Sequence, residues 1–375
     1  MSVRTVHVMK IKKIHLINFR NYVNQEIVFS DNVSLIYGEN AQGKTNIIEA
    51  LYLLSTGKSH RTGNTNELIR YGESFFDIRL EYEDNSYLQN IEIKYEKGNR
   101  KRLLINEVKK DRISDLLGVV PSVLFSPESL SCIKGSPRER RKIIDIVLCQ
   151  VSRKYLYNLQ KYNKIVRNKN VLLKEIKKKR HQTQQLDVWN ESQAMTGAVI
   201  IEERKLLIQS LEKRMKRLMH GISEGREDVT LRYKSFFDED KNIFNSLLDM
   251  MNENKNREIE NEISLFGPHR DEIEILLNNR NSRLYCSQGQ QRSLALALNI
   301  AIMEEIKDRS GKVPVLLLDD VMSELDEKRR NYLYEIIGDK QAVITSTDKT
   351  QFRMTVGGIS YIRIKNGTVI SDSNV

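Results

Sequence analysis

Cysteine is scarce in this 375-residue chain: Cys132, Cys149 and Cys286 are odd in number and far apart. Neither a disulfide framework nor a zinc site is indicated, and the three read as packing residues. Long apolar runs are missing too. No stretch reaches the length a membrane-crossing helix needs, and the N-terminus mixes Val, Arg, His and Lys where a secretory leader would be apolar. The expectation is a cytoplasmic protein with no membrane partner. Tryptophan occurs once, at Trp189 in the polar stretch Gln184 to Gln193, and its setting assigns it no role. Acidic residues fall short of basic ones, 50 against 61, for a net charge of +11. That balance points to an acidic partner, nucleic acid ahead of membrane. The length suits a large domain plus a smaller one.

Against these absences one motif stands out. Gly38-Glu39-Asn40-Ala41-Gln42-Gly43-Lys44-Thr45 has the spacing of a P-loop. Gly38 and Gly43 let the backbone curl so that successive N–H groups face a nucleotide's phosphates. Lys44 brings a positive charge to the β and γ phosphates, and the Thr45 hydroxyl suits a magnesium ion. The context is right: Val33 to Tyr37 reads as a buried strand, and Ile47 to Leu54 as an apolar helix. Gly38 through Thr45, with Asn46, are therefore the candidate ATP-binding residues.

Before the P-loop, Ile14 to Phe19 and Glu26 to Phe29 read as strands joined by a link beginning Arg20-Asn21-Tyr22, expected to pair beside the P-loop strand. After its helix, Gly57 to Gly63 is a polar, basic loop, either plain surface or a phosphate or DNA contact. Phe76, Ile78, Leu80 and Tyr82 alternate with polar residues, as do Ile91, Ile93 and Tyr95. They predict a half-exposed antiparallel sheet, continued by Leu103 to Ile105.

From about Pro127 the texture is helical. Tyr155, Leu159, Tyr162, Val166 and Leu173 form one stripe, and Leu207, Leu211, Met215 and Leu218 another; both read as seams of a helical hairpin. Between Val151 and Arg180, Arg153, Lys154, Lys161, Lys164, Arg167, Lys169, Lys174, Lys177, Lys178, Lys179 and Arg180 face a single acid, Glu175. A charge run is usually a solvated face, but so one-sided a helix repels itself unless counter-ions or a polyanion neutralise it, and the reading favoured is contact with nucleic acid. Asp238 to Glu262 reads as the return segment. Ile273 to Leu277, after the sharp punctuation of Gly267-Pro268-His269-Arg270-Asp271, is expected to restart the nucleotide lobe.

Hydrolysis needs carboxylates, and they come late. Val315-Leu316-Leu317-Leu318-Asp319-Asp320 suits a buried parallel strand ending at the site, with Asp319 on the magnesium ion and Asp320 orienting or deprotonating the attacking water; otherwise Asp320 caps the next turn. Ser287-Gln288-Gly289-Gln290-Gln291, before the apolar helix Leu294 to Met303, resembles the signature motif of ABC-type ATPases. The resemblance implies that Ser287, Gly289 and Gln290 of one copy meet the γ-phosphate held by Lys44 of another. Ser323-Glu324-Leu325-Asp326 resembles the D-loop of that superfamily, and Thr347 stands where many members carry a switch histidine. Asn366-Gly367 is a two-residue hairpin turn.

Taken together, Leu16 to Tyr22, the P-loop, Ser59-His60-Arg61-Thr62, Phe125-Ser126-Pro127-Glu128, Gly135-Ser136-Pro137, Gly267 to Asp271, Tyr285 to Arg292 and Leu317 to Asp326 resemble, in order, the motifs of the RecF family. These are bacterial recombination-mediator ATPases of the SMC-like branch. Cys286 departs mildly, standing where a small residue is expected. The resemblance implies an α/β fold: an ABC-type P-loop ATPase head of mixed sheet, flanking helices and an antiparallel β subdomain, carrying an inserted helical lobe. Its expected bounds are 1–125, 126–262 and 263–375. It further implies a slow, DNA-stimulated ATPase that dimerises on ATP and clamps DNA at single-stranded gaps and gapped duplex. RecO and RecR are the implied partners in loading RecA, in support of replication restart and the SOS response. An SMC-type chromosome ATPase would share the ATP motifs but needs far longer coiled coils. A transporter subunit fits the basic insert poorly. A P-loop kinase does not need the Ser287 motif, and a structural DNA-binding module would tolerate loss of Lys44 and Asp320.

Overall fold

The computed structural model describes residues 9–179, 184–236, 242–338, 340–349 and 358–370. It has two compact units, Met1–Leu130 with Gln288–Val375, and Ser131–Ser287.

The first unit opens with β1 (Met9–Phe19), β2 (Tyr22–Val28), β3 (Val33–Tyr37) and α1 (Lys44–Thr56). A meander follows, β4 (Phe75–Asp84), β5 (Tyr87–Glu96), β6 (Arg102–Ile105) and β7 (Val108–Lys110), and then β8 (Ser122–Phe125). Strands in the order β2-β1-β4-β5-β6-β7 make an antiparallel sheet. Phe76, Ile78, Leu80 and Tyr82 are buried on it with Ile91, Ile93, Tyr95 and Leu103, as their alternation predicts. β1 and β2 belong to this sheet and not beside the P-loop strand, which corrects the expectation. Their side chains alternate between core and solvent and need a sheet with one wet face, whereas Val33 to Tyr37 are buried throughout.

The second unit contains α2 (Ser131–Lys134), α3 (Pro137–Val151), α4 (Arg153–Lys179), α5 (Gln184–Ser223), β9 (Val229–Lys234), α6 (Ile243–Glu253), α7 (Lys255–Asn261), β10 (Glu272–Leu277), β11 (Arg280–Asn281) and α8 (Ser282–Tyr285). α4 and α5 form the expected hairpin. Tyr155, Tyr162 and Leu173 of α4 are buried with Leu207, Leu211, Met215 and Leu218 of α5, while Leu159 and Val166 are only partly covered. β10 does not return the chain to the nucleotide unit. It pairs antiparallel with β9, from Glu272 opposite Lys234 to Leu277 opposite Val229, in a three-stranded sheet of its own. The nucleotide unit therefore resumes at Gln288 rather than 263, and its first part ends at Leu130 rather than 125.

The charge of α4 is divided on the two sides of the helix. Lys169 points into the seam, where its Nζ lies 2.7 Å from the Glu258 carboxylate of α7, both side chains wholly buried. Lys177 meets Glu262 at 3.0 Å, just past α7. The return segment thus supplies part of the neutralising charge, so the one-sided run does not by itself require a polyanion. Arg180 and Asp238 to Lys241 lie outside the described residues.

The last pass adds α9 (Gln288–Ser310), β12 (Val315–Asp319), α10 (Glu327–Ile337), β13 (Ala342–Ser346), β14 (Ile359–Lys365) and β15 (Thr368–Ile370). They complete a sheet in the order β15-β14-β3-β13-β12-β8, parallel except for β15. β3, β12 and β13 are buried at every residue, which is why their sequences are mostly apolar rather than alternating. One hydrophobic core joins this sheet, α1 and the antiparallel sheet, with Ile36, Ile47, Leu54, Phe76, Leu317 and Val343 among its members.

Candidate nucleotide site

The P-loop leaves the end of β3 in a conformation only glycine tolerates at both of its ends. Gly38 has φ 149°, and a Cβ there would lie 2.3 Å from the Ile364 carbonyl oxygen. Gly43 has φ 114° as the residue before α1, and a Cβ would come within 2.5 Å of the Asn21 side chain. The loop between them is braced by two turns from distant parts of the sequence. Asn21 Nδ2 donates to the Gln42 carbonyl at 2.9 Å and the Tyr22 hydroxyl to the Gly43 carbonyl at 3.0 Å. Beside Asn21, Gly367 N donates to the same Gln42 carbonyl at 3.1 Å, and Asn366 N to Gln42 Oε1 at 2.6 Å. Two turns that read as plain connections in the sequence hold the phosphate loop.

Lys44 folds across the loop, its Nζ donating to the carbonyls of Gly38 and Glu39 at 2.7 Å each. Burial pushes its pKa below the ordinary lysine value, against the opposing charges of Asp320 and Asp319. The parallel register of β12 and β13 sets Thr345 opposite Asp319. Asp319 Oδ1 then accepts from Thr345 Oγ1 at 2.7 Å and from Thr45 Oγ1 at 2.9 Å. The Asp320 amide donates to Thr345 Oγ1 at 2.9 Å, which fixes that residue in a left-handed turn at φ 50°. The Asp320 side chain makes no capping bond to the turn that follows, so capping does not account for it. No local sequence pattern points to Thr345, because its hold on Asp319 exists only through this cross-strand register.

Thr45 and Asp319 thus meet at 2.9 Å, and Asp319 and Asp320 lie near enough to Lys44 to act on its charge. Thr45 and Asp319 bring two hard oxygen donors to one point, which fits a magnesium ion. No group of three or more His, Cys, Asp or Glu able to hold a metal occurs among the described residues. Magnesium bound with a nucleotide needs only one or two protein oxygens, the rest being phosphate and water.

Glu49, one turn along α1, organises the neighbouring basic groups. Its wholly buried carboxylate accepts from Arg20 Nε and Nη2 at 2.8 and 2.7 Å and from Ser59 Oγ at 2.5 Å, with Arg61 at 3.3 Å. Burial works to raise its pKa, but hydrogen bonds from Arg20 and Ser59 and the charges of Arg20 and Arg61 prevail and hold it below the usual glutamate value. Arg61 also donates to Asn46 Oδ1 at 2.8 Å. The loop Ser59 to Thr62 is therefore tied to the P-loop helix and is more than plain surface.

At the start of α9 the signature-like residues sit together. Ser287 is exposed and closes the second unit, while Gly289 and Gln290 lie in the first turn of the helix. Leu294 to Met303 are buried on all sides of α9. Asp326 of the D-loop-like stretch has a structural task, accepting from Arg329 N at 2.9 Å to cap α10. Thr347, one residue beyond β13, is part-exposed.

Residues 10–369 match the family model described as the RecF/RecN/SMC N terminal domain. The chain is 42% identical over 365 residues to "DNA replication and repair protein RecF" of Acetivibrio thermocellus, covering 96% of this chain and 99% of that protein. It is 38% identical over 362 residues to the protein of the same description from Clostridium novyi, covering 96% and 99%. Its fold matches the solved "recombination mediator protein RecF-ATP in RecFOR pathway" with a TM-score of 0.91 at 34% identity, over 97% of each chain. An Smc head domain from Pyrococcus furiosus shares the fold alone, with a TM-score of 0.56 at 17% identity over 96% and 95%. The P-loop braced by two turns, the carboxylates that close on it from β12 and the inserted helical unit are thus the build of a head ATPase of the SMC-like kind, and the chain belongs to the RecF family of DNA replication and repair proteins.

Proposed function

We propose that this chain is an ATP-switched DNA clamp of recombinational repair. ATP joins two copies, the pair holds DNA at single-stranded gaps, and slow DNA-stimulated hydrolysis lets it go. RecO and RecR are its partners in helping to load RecA, in the cytoplasm, in support of replication restart and the SOS response. The observation that carries this reading is the joint hold of Thr45 and Thr345 on Asp319, which sets the magnesium ligands and Asp320 around Lys44. Among the described residues no helix is long and apolar enough to cross a membrane.

Each residue has a role in this scheme. The backbone N–H groups of Gly38 to Asn46 cradle the phosphates and Lys44 addresses the β and γ groups. A magnesium ion held by Thr45 and Asp319 supplies the charge that neutralises those phosphates. Asp320 orients or deprotonates the attacking water. Ser287, Gly289 and Gln290 of the second copy meet the γ-phosphate, so nucleotide binding goes into association, and loss of that phosphate reverses it. A purely structural module with a vestigial nucleotide site is not favoured, because Lys44, Thr45, Asp319 and Asp320 all stand together.

The test is the mass in solution, by light scattering, of Asp320→Asn with ATP and magnesium, with and without a short gapped duplex. The expected result is a monomer that ATP converts to a DNA-holding dimer, with Ser287→Arg abolishing both. A protein that stays monomeric with ATP yet still binds DNA overturns the clamp.

A further inference from the structure

The divided charge of α4 leaves one stretch unanswered. Lys169 and Lys177 turn toward the acids of the return segment, Lys154 lies 4.0 Å from Glu203, and Lys174 and Lys178 are near enough to Glu262 to hold its pKa down. Lys161, Lys164 and Arg167 differ. All three are exposed, and none forms an ion pair with a described residue. They follow one another at three-residue intervals, so their side chains make a single ridge of roughly 9 Å along the helix. Tyr157, one turn before Lys161 on the same side, is 61% exposed. The opposite side of this stretch is committed to packing through Tyr162, Ile165 and Lys169, so the ridge is held outward by the core.

We infer that this face of α4 is a track for a single strand of DNA, with phosphates on Lys161, Lys164 and Arg167 and an unstacked base on the Tyr157 ring. The inference rests on the DNA-binding reading above and deepens it. Charge complementarity selects a polyanion: three cations within two helical turns, with Glu175 the sole acid in α4, form an uncompensated ridge that a phosphate backbone neutralises by displacing counterions. The exposed aromatic selects a single strand. A duplex keeps its base faces inside the stack, whereas a single strand can lay a base on a ring beside a basic groove. A basic ridge alone would not distinguish the two.

The experiment uses the full chain and fluorescence anisotropy of a labelled thymidine oligonucleotide and of a duplex of equal length, over a range of salt. Lys164→Gln with Arg167→Gln is expected to weaken single-strand binding at least tenfold near 0.1 M salt. It should also lower the slope of log affinity against log salt by roughly 0.7 for each phosphate that is no longer neutralised. Tyr157→Ala is expected to weaken binding about five- to one-hundred-fold with the slope unchanged. ATP-driven dimer formation without DNA is the control for intact folding. If wild type binds the oligonucleotide and the double variant matches it in affinity and slope, the track lies elsewhere, while the clamp reading stands. A loss confined to the duplex also overturns the single-strand assignment. If wild type binds neither DNA, the clamp reading fails and this inference with it.

Discussion

The Thr45 hydroxyl donates to Asp319 Oδ1 at 2.9 Å, although the two residues stand 274 apart in sequence. In Asp319→Asn the charge that would hold magnesium is gone while the side chain keeps its shape. Nucleotide affinity is expected to fall about tenfold or more with magnesium present, a loss of about 1.4 kcal/mol or more, and to change little when the metal is chelated. Titration calorimetry with ATP, with and without chelator, checks both arms.

Thr345→Val keeps the volume of the side chain and removes a hydroxyl that serves Asp319 and the Asp320 amide together. Leaving that amide without its acceptor costs about 1–3 kcal/mol. The expected outcome is single-turnover hydrolysis slowed more than ATP binding is weakened. Equal losses in both would mean that Thr345 serves only to hold the fold.

The buried pair of Lys169 and Glu258 should behave asymmetrically. Lys169→Met alone strands a carboxylate and is expected to cost about 3–5 kcal/mol. Adding Glu258→Gln removes the stranded charge while keeping an oxygen for the Leu265 amide, which Glu258 Oε1 now accepts at 2.8 Å. The double variant should recover most of the loss, as read from denaturant midpoints. A double variant as unstable as the single would argue that packing, and not charge, is what the lysine contributes.

His269 gives the stability a defined pH window. Burial, with the charges of Arg270, Lys169 and Arg141, pushes its pKa down from 6.5 to about 4, against a hydrogen bond to the Ser264 carbonyl that raises it. The neutral ring accepts from the Tyr162 hydroxyl at 2.5 Å. Because the folded pKa is the lower one, the unfolded chain binds more protons between these values. Stability is therefore full above about pH 6.5 and falls as pH drops toward 4, by roughly 3 kcal/mol in all. Melting temperatures of wild type and His269→Gln at pH 7.5 and 5.0 check this; the wild type should lose more between the two.

Much of the site is visible in the sequence because its parts are local. The P-loop is eight consecutive residues, and the strand before Asp319 is a short apolar run that suits a buried parallel strand. What stayed hidden depends on partners far along the chain. Asn21 and Asn366 read as turn residues, and nothing nearby reveals that both reach Gln42. The strand at β10 is plain, but whether it joins the nucleotide sheet depends on an edge supplied by Val229, Leu231 and Tyr233, whose short alternation carries little signal alone. Which lysines of α4 are already answered was hidden for the same reason, since Glu258 and Glu262, the partners of Lys169 and Lys177, lie in the return segment that follows α5.

The placement of β3 between β13 and β14 bears on how the protein is made. The P-loop strand emerges early, yet its two sheet neighbours begin at Ala342 and Ile359. At about 5–20 residues per second, Val33 to Tyr37 wait roughly 15 seconds to a minute before either neighbour leaves the ribosome. Through that interval five apolar-rich residues have neither edge paired, a state prone to misassociation. A chain broken off before Ala342 never leaves that state. The nascent protein should therefore be a client of chaperones until Ala342 to Lys365 are made, and termination before Ala342 should give insoluble product rather than a partly active fragment.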